Sequence, residues 1–96
     1  MKSPPASTPR PIIWTNPALA DLAAIRTYIE AMNPPAAARV AQQIVDAADT
    51  LETFPMRGRP WRGARVLVAV PPYLIRYRVQ PDAVLILGVR HRARRP

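Results

Sequence analysis

Proline fixes its own φ and donates no backbone hydrogen bond, so thirteen prolines in a chain of 96 residues dictate where regular structure must break. Thr15-Asn16-Pro17 reads as a helix start, a capping side chain with proline in the first turn. Asn33-Pro34-Pro35 stops that helix and opens a second one, with Asn33 as its cap, and Pro55 ends the second. Further on, Pro71-Pro72 and Gln80-Pro81-Asp82 separate three strand-like runs at 65–70, 73–79 and 83–89.

Between these stops the apolar periodicity is helical. Leu19, Leu22, Ile25, Ile29 and Met32 recur at spacings of three and four and share a face. Val40, Ile44, Ala47 or Ala48, Leu51 and Phe54 do the same in the second segment, which is expected to run to about Thr53. So short a turn makes the two helices nearly antiparallel. With Ile12-Ile13-Trp14 as a leading strand, the order is β-α-α-β-β-β: an α+β fold, a small, mostly antiparallel four-stranded sheet with a helical hairpin on one face.

Length allows one domain. Residues 1–10, proline-rich and without periodicity, read as a disordered leader, and 11–96 as the folded unit. The absence of cysteine removes disulfides, thiolate metal sites and a cysteine nucleophile, and a single histidine removes a histidine-pair site. No metal or cofactor is therefore expected. The chain has no apolar run near the roughly 20 residues that span a bilayer and no apolar signal core, so a cytoplasmic protein is expected.

Charge is one-sided. Residues 1–55 hold four basic and five acidic side chains, whereas residues 56–96 hold ten arginines against Asp82 alone. Sixteen alanines and one lysine suggest GC-rich coding, which explains arginine in place of lysine but not its placement. Such a concentration draws an anionic partner, either a polyanion or an acidic protein segment.

Alternation sharpens this expectation. Tyr73, Ile75, Tyr77 and Val79 share one strand face, suited to the helices, and Leu74, Arg76 and Arg78 take the other. By the same alternation Val66, Val68 and Val70 point inward in the run before, as do Leu85, Leu87 and Val89 in the last. The outer face then carries Leu67, Leu74, Val84 and Ile86 among Arg65, Arg76, Arg78 and Arg90. Two short helices cannot cover both sides of a sheet, and an apolar patch fringed by arginine marks a binding surface.

The layout and several strings resemble the RelE/ParE superfamily of type II toxins, and more closely its ParE branch. The resemblance spans residues 12–96. It is carried by Trp14, Ala20-Asp21-Leu22, Ile25 and Tyr28-Ile29, then by Asn33-Pro34, Ala36-Ala37, Ile44, Leu51, Pro55 and Gly58-Arg59. Tyr73, Ile75-Arg76-Tyr77-Arg78-Val79, Ile86-Leu87, Val89, His91 and Arg94 complete it. It implies a bacterial toxin of the kind that stabilises plasmids, arresting growth when free and neutralised by a cognate antitoxin. That antitoxin would be a ribbon-helix-helix or similar DNA-binding protein whose disordered C-terminal tail wraps the toxin. The antitoxin-binding set then comprises Leu67, Leu74, Arg76, Arg78, Val84, Ile86 and Arg90.

The superfamily divides between ribosome-dependent mRNA endoribonucleases (RelE-type) and non-enzymatic inhibitors of DNA gyrase (ParE-type). A ribonuclease must activate a 2′-hydroxyl, neutralise a phosphate and protonate a leaving oxygen. His91, Arg65, Arg78 and Arg94 are the candidates. Leu74 stands near the place where the ribonucleases carry an arginine, no tyrosine follows the last strand-like run, and Arg57, Arg59 and Arg62 replace lysines. The set is incomplete, so a gyrase-binding toxin that is not itself an enzyme is the first reading and a ribonuclease the second. Target contacts then fall to Arg57, Arg59, Trp61 and Arg62 in the basic loop, or to Arg92, Arg94 and Arg95 in the tail. A direct nucleic-acid-binding module, stacking bases on Trp61, Tyr73 or Tyr77, ranks third.

Overall fold

A computed structural model describes residues 9–93. The leader up to residue 8, and Arg94 and Arg95, lie outside the described residues. Strand β1 (Ile12–Trp14) leads into helix α1 (Asn16–Glu30), which turns into α2 (Pro34–Asp49) and a single 3-10 turn at Thr50–Glu52. Strands β2 (Arg59–Trp61), β3 (Ala64–Val68), β4 (Tyr73–Gln80) and β5 (Ala83–His91) follow. The sheet order is β1-β5-β4-β3-β2, with β1 parallel to β5 and the other pairs antiparallel.

Both helix starts are built as their residues dictate. The Thr15 hydroxyl accepts from the Ala18 N–H at 3.3 Å and donates to the Ile86 carbonyl at 2.7 Å, so one side chain caps α1 and anchors it to β5. Asn33 Oδ1 accepts from the Ala36 N–H at 3.2 Å and caps α2. Arg10 already belongs to the framework, because its N–H donates to the Glu52 carbonyl at 3.1 Å.

The core lies between the hairpin and one sheet face. Ile44, Ala48 and Leu51 from the second helix and its extension, with Ala18 from α1, meet Ile75, Tyr77, Val84, Ile86 and Val89. All four alanines buried on α2 (Ala36, Ala37, Ala41, Ala48) are small enough to admit close approach of a neighbour.

Three expectations are corrected. The sheet has five strands rather than four, because Arg59-Pro60-Trp61 pairs with Ala64-Arg65-Val66 instead of forming a loop. Pro60 is tolerated there because β2 is an edge strand, where its missing N–H costs the ladder nothing.

The second correction is the register of β3. Leu67 faces Ile75 and is buried, whereas Val66 and Val68 pair with Arg76 and Leu74 on the outer side. Every residue from Val66 to Val70 is apolar, so alternation carries no frame; Arg65, tethered to Gly58, sets it.

The third concerns β5. Val84 and Ile86 pair with Val79 and Tyr77 and are fully buried, not outward-facing. A bulge shifts the register between Arg76 and Tyr77: Tyr77 pairs with Ile86 but Arg76 with Gly88, leaving Leu87 as the extra residue. That extra residue lets Ile86 and Val89 both face the core, which strict alternation forbids. Asp21 on α1 serves the same spot, its Oδ2 accepting the Val89 N–H at 2.9 Å.

Candidate functional site

Three features outside the core carry polar chemistry: the outer sheet face, the loop between the 3-10 turn and β2, and the far ends of the strands. The outer face has no helix on it. The pairings place Val66, Val68, Leu74, Arg76, Arg78, Leu85, Arg90 and Arg59 on that side, with Ile13 beside Leu85. Val68 is 46% exposed and Ile13 47%, so the patch is apolar and open to water. Arg76 lies half-buried across it, its Nε buried without a hydrogen-bond partner. Of the seven expected antitoxin contacts, Leu74, Arg76, Arg78 and Arg90 are on this face, while Leu67, Val84 and Ile86 belong to the core. The surface keeps its mixed chemistry through different residues.

The loop is pinned from beneath by a buried phenol. Tyr77 donates to the Pro55 carbonyl at 2.8 Å and accepts from the Gly58 N–H at 2.7 Å. Burial raises the Tyr77 pKa above 10.0, against smaller lowering effects from the Gly58 N–H and the Arg65 and Arg57 guanidinium groups. A Cβ at Gly58 would sit 2.7 Å from both the Tyr77 hydroxyl and the Val66 carbonyl, so only glycine fits. Arg65 Nη1 donates to the Gly58 carbonyl at 2.5 Å, and Arg57 Nη1 to Thr50 Oγ1 at 2.8 Å.

Beyond Gly58 the chain enters the β2–β3 hairpin, whose two-residue turn is Arg62-Gly63 with φ of 49° and 76°. Two consecutive positive φ values are what a tight hairpin of this hand requires. Arginine is uncommon there, and its side chain lies over Trp61 with Cζ 5.0 Å from the ring centroid. Two open cavities flank this loop. One of about 840 Å³ includes Arg10, Phe54, Pro55, Met56 and Arg57 in its lining. The other, about 490 Å³, includes Met56, Trp61, Arg62, Arg65 and Arg78.

Among the described residues, the ribonuclease candidates His91, Arg65 and Arg78 are not brought together, and Arg94 lies outside them. His91 pairs with Tyr73 at one end of β4, whereas Arg78 pairs with Leu85 near the other. Five residue steps of about 3.3 Å separate these positions along β4, about 16 Å. Arg65 faces Tyr77, also at the far end from His91, and its guanidinium holds the loop. His91 is engaged locally: its ring packs edge-on against Tyr73 at 5.4 Å, and Nδ1 accepts the Ala93 N–H at 3.1 Å.

The target candidates divide in the same way. Arg57, Trp61 and Arg62 border the two cavities, Arg59 is opposite Val66, and Arg92 follows the His91 end. Tyr73 and Tyr77, named as stacking platforms, are buried and offer no face to a base. The helical period places Phe54 on the buried face of the second helix, but α2 ends at Asp49 and the 3-10 turn changes the frame, so Phe54 is exposed; Met56, exposed beside it beyond Pro55, carried no expectation. Among the described residues, no cluster of three or more His, Asp or Glu could hold a metal, and no helix is long and apolar enough to cross a membrane.

Residues 12–96 match the family model described as the ParE toxin of the type II toxin–antitoxin system parDE. The chain is 50% identical over 84 residues to Toxin RelE2 of Caulobacter vibrioides, covering 86% of this chain and 96% of that one. It is 47% identical over 83 residues to the putative toxin Y4kP of Sinorhizobium fredii, covering 83% and 85%. Among solved structures it resembles a chain of the chromosomal ParDE toxin–antitoxin system of P. aeruginosa, with TM-score 0.79, 28% identity and coverage of 88% and 98%. It also resembles a chain of the toxin–antitoxin complex RelBE2 of Mycobacterium tuberculosis, with TM-score 0.67, 25% identity and coverage of 91% and 95%.

Proposed function

This chain belongs to the ParE toxin family of type II toxin–antitoxin systems, and from that premise we propose that it arrests bacterial growth by binding an intracellular protein, with DNA gyrase the favoured target. An antitoxin neutralises it. The observation that carries the partner reading is the outer sheet face, where Ile13, Val68 and Leu74 meet water among Arg76, Arg78 and Arg90. A segment alternating apolar and acidic side chains buries the first group and pairs with the second. Each of these apolar side chains is already about half covered, so sealing it contributes about 0.7–1.5 kcal/mol before the segment's own ordering cost. Both solved neighbours belong to toxin–antitoxin systems, which supports such a companion here.

Binding, rather than catalysis, is favoured by the separation of His91 from Arg65 and Arg78, and by the local engagement of His91 and Arg65. Target contacts fall to Arg57, Arg59, Trp61 and Arg62 around the hairpin. The outer ring face of a half-exposed tryptophan, backed by an arginine, is a suitable anchor for a protein interface. The purified protein is expected to inhibit supercoiling by gyrase at micromolar concentration and to leave ribosome-bound mRNA intact.

A second reading, ribosome-dependent mRNA cleavage, draws support from the 50% identity to a protein named RelE2. Ribosome-dependent cuts that disappear in His91→Ala would establish it and remove the first.

A further inference from the structure

Three of the large apolar side chains that the described residues leave in water stand within eight positions, on the loop after the 3-10 turn and on β2: Phe54 at 65% exposure, Met56 at 60% and Trp61 at 45%. Met56 lines both cavities described above, so the two adjoin at its side chain, and we treat them together as a groove. Arginines border it from end to end, with Arg10 at one extremity and Arg62 and Arg78 at the other. Among the described residues lining it there is no aspartate or glutamate. Arg10 Nε is buried with no hydrogen-bond partner.

We propose that this groove, from Arg10 past Phe54 and Met56 to Trp61, is the docking site for an extended acidic segment of the toxin's protein target. This rests on the reading of the chain as a target-binding toxin. An apolar side chain of that segment seats against Phe54 and Met56, and its carboxylates meet the flanking arginines.

The chemistry argues for protein over nucleic acid. A base could stack only on Phe54 or on the ring face of Trp61 that Arg62 leaves open, whereas Met56, between them where the two cavities meet, gains most from burying an aliphatic or aromatic side chain and nothing from phosphate. A second copy of this chain is disfavoured, since it would bring arginines against arginines. The groove meets the outer sheet face at its Trp61 and Arg78 end, but the larger cavity is built from Arg10, the 3-10 turn and the loop after it, none of which lies on that face, and this favours the target over the antitoxin there. The groove also adjoins Arg57, Trp61 and Arg62, assigned above to the target. Its floor is rigid, held by the Tyr77 hydroxyl and by Arg65, so little ordering is needed on binding.

The test has two arms. In cells, induction of the wild-type chain arrests growth, and Phe54→Asp and Met56→Glu lower that arrest at least tenfold in colony counts. Both variants still copurify with the cognate antitoxin, and Leu19→Glu on the exposed side of α1 behaves as wild type. Loss of copurification with arrest retained would assign the groove to the antitoxin and overturn the proposal. Wild-type chain that fails to arrest growth would remove the toxin reading, and the second arm then decides the groove alone. There, a fluorescein-labelled peptide with a central phenylalanine flanked by glutamates and leucines binds the wild-type protein, and Met56→Glu weakens it by about tenfold or more. No binding, or equal affinity for Met56→Glu, overturns the proposal. So does a tenfold gain in affinity on deleting residues 1–8, which would mean self-occupation, or a dimer in sedimentation that Met56→Glu dissociates. Labelled single-stranded RNA that competes with the peptide and binds Met56→Glu unchanged would make this a nucleic-acid site instead.

Discussion

The two faces of β4 differ in what a side chain there is for. Ile75 and Tyr77 are fully buried against α2 and the 3-10 turn, whereas Leu74 and Arg78, on the intervening positions, reach toward solvent. The inner residues act through packing, and their loss is felt as lost stability. The outer residues contribute little to folding and offer their area to a partner. One strand therefore divides its residues between stability and recognition, and substitutions on its two sides should separate the two properties.

The largest effect belongs to the inner face. Ile75→Ala opens a cavity in a fully buried position, and a loss of about 2–5 kcal/mol is expected in urea unfolding. A loss below about 1 kcal/mol would mean that the helices do not seal this face. Gly58→Ala is the next largest. Its new methyl would collide with the Tyr77 hydroxyl and the Val66 carbonyl, which costs about 1–3 kcal/mol of overpacking.

Tyr77→Phe keeps the ring and removes the hydroxyl, stranding the Gly58 N–H and the Pro55 carbonyl, at about 1–3 kcal/mol. It also leaves a signature in pH. The folded-state pKa lies above the ordinary 10.0, so the unfolded chain loses the phenolic proton first as pH rises. Stability is then full below pH 10.0, falls as pH climbs from there through the folded-state value, and is flat beyond it. Unfolding followed between pH 8 and about 11.5 should show that decline in the wild-type chain and a shallower one in Tyr77→Phe. Equal slopes would mean that the phenol titrates as though exposed.

The contrast between the faces also explains what the sequence made legible. Helix starts were readable because Thr15 and Asn33 are local signals acting within a turn of where they stand, whereas the expected end of the second helix near Thr53 was late: α2 stops at Asp49 and tightens into a 3-10 turn before Pro55 is reached. The inner face of β4 was readable because Tyr73, Ile75 and Tyr77 alternate with Leu74, Arg76 and Arg78, so polarity marks the frame. In β3 and β5 that mark is missing. Val66-Leu67-Val68 and Val84-Leu85-Ile86-Leu87 are apolar throughout, and their frames are set at a distance, by the Arg65 tether and by the bulge opposite Arg76. The consequence reached the candidate site, where Leu67, Val84 and Ile86 turned out to be core and Val66, Val68 and Leu85 took their places outside. Strand β2 escaped for a related reason. A proline and three arginines within 57–62 read as loop, and only the positive φ values at Arg62 and Gly63 make the hairpin close.

The smallest effect on stability is expected where recognition should suffer most. Val68 is nearly half exposed and stands opposite Leu74 on the outer face, so Val68→Asp breaks no core contact and should move unfolding by no more than about 0.5 kcal/mol. Against an antitoxin segment laid across that face, the same carboxylate would be buried beside apolar side chains and would repel the segment's acids. A loss of at least tenfold in affinity is expected, about 1.4 kcal/mol or more, measured by titrating the purified antitoxin into each protein. Leu74→Asp repeats the test on the neighbouring strand, at a somewhat larger cost in stability because Leu74 is half-buried. If both variants bind as wild type, the outer face is bare sheet and the antitoxin holds the toxin elsewhere, on the helices or in the groove beside Met56.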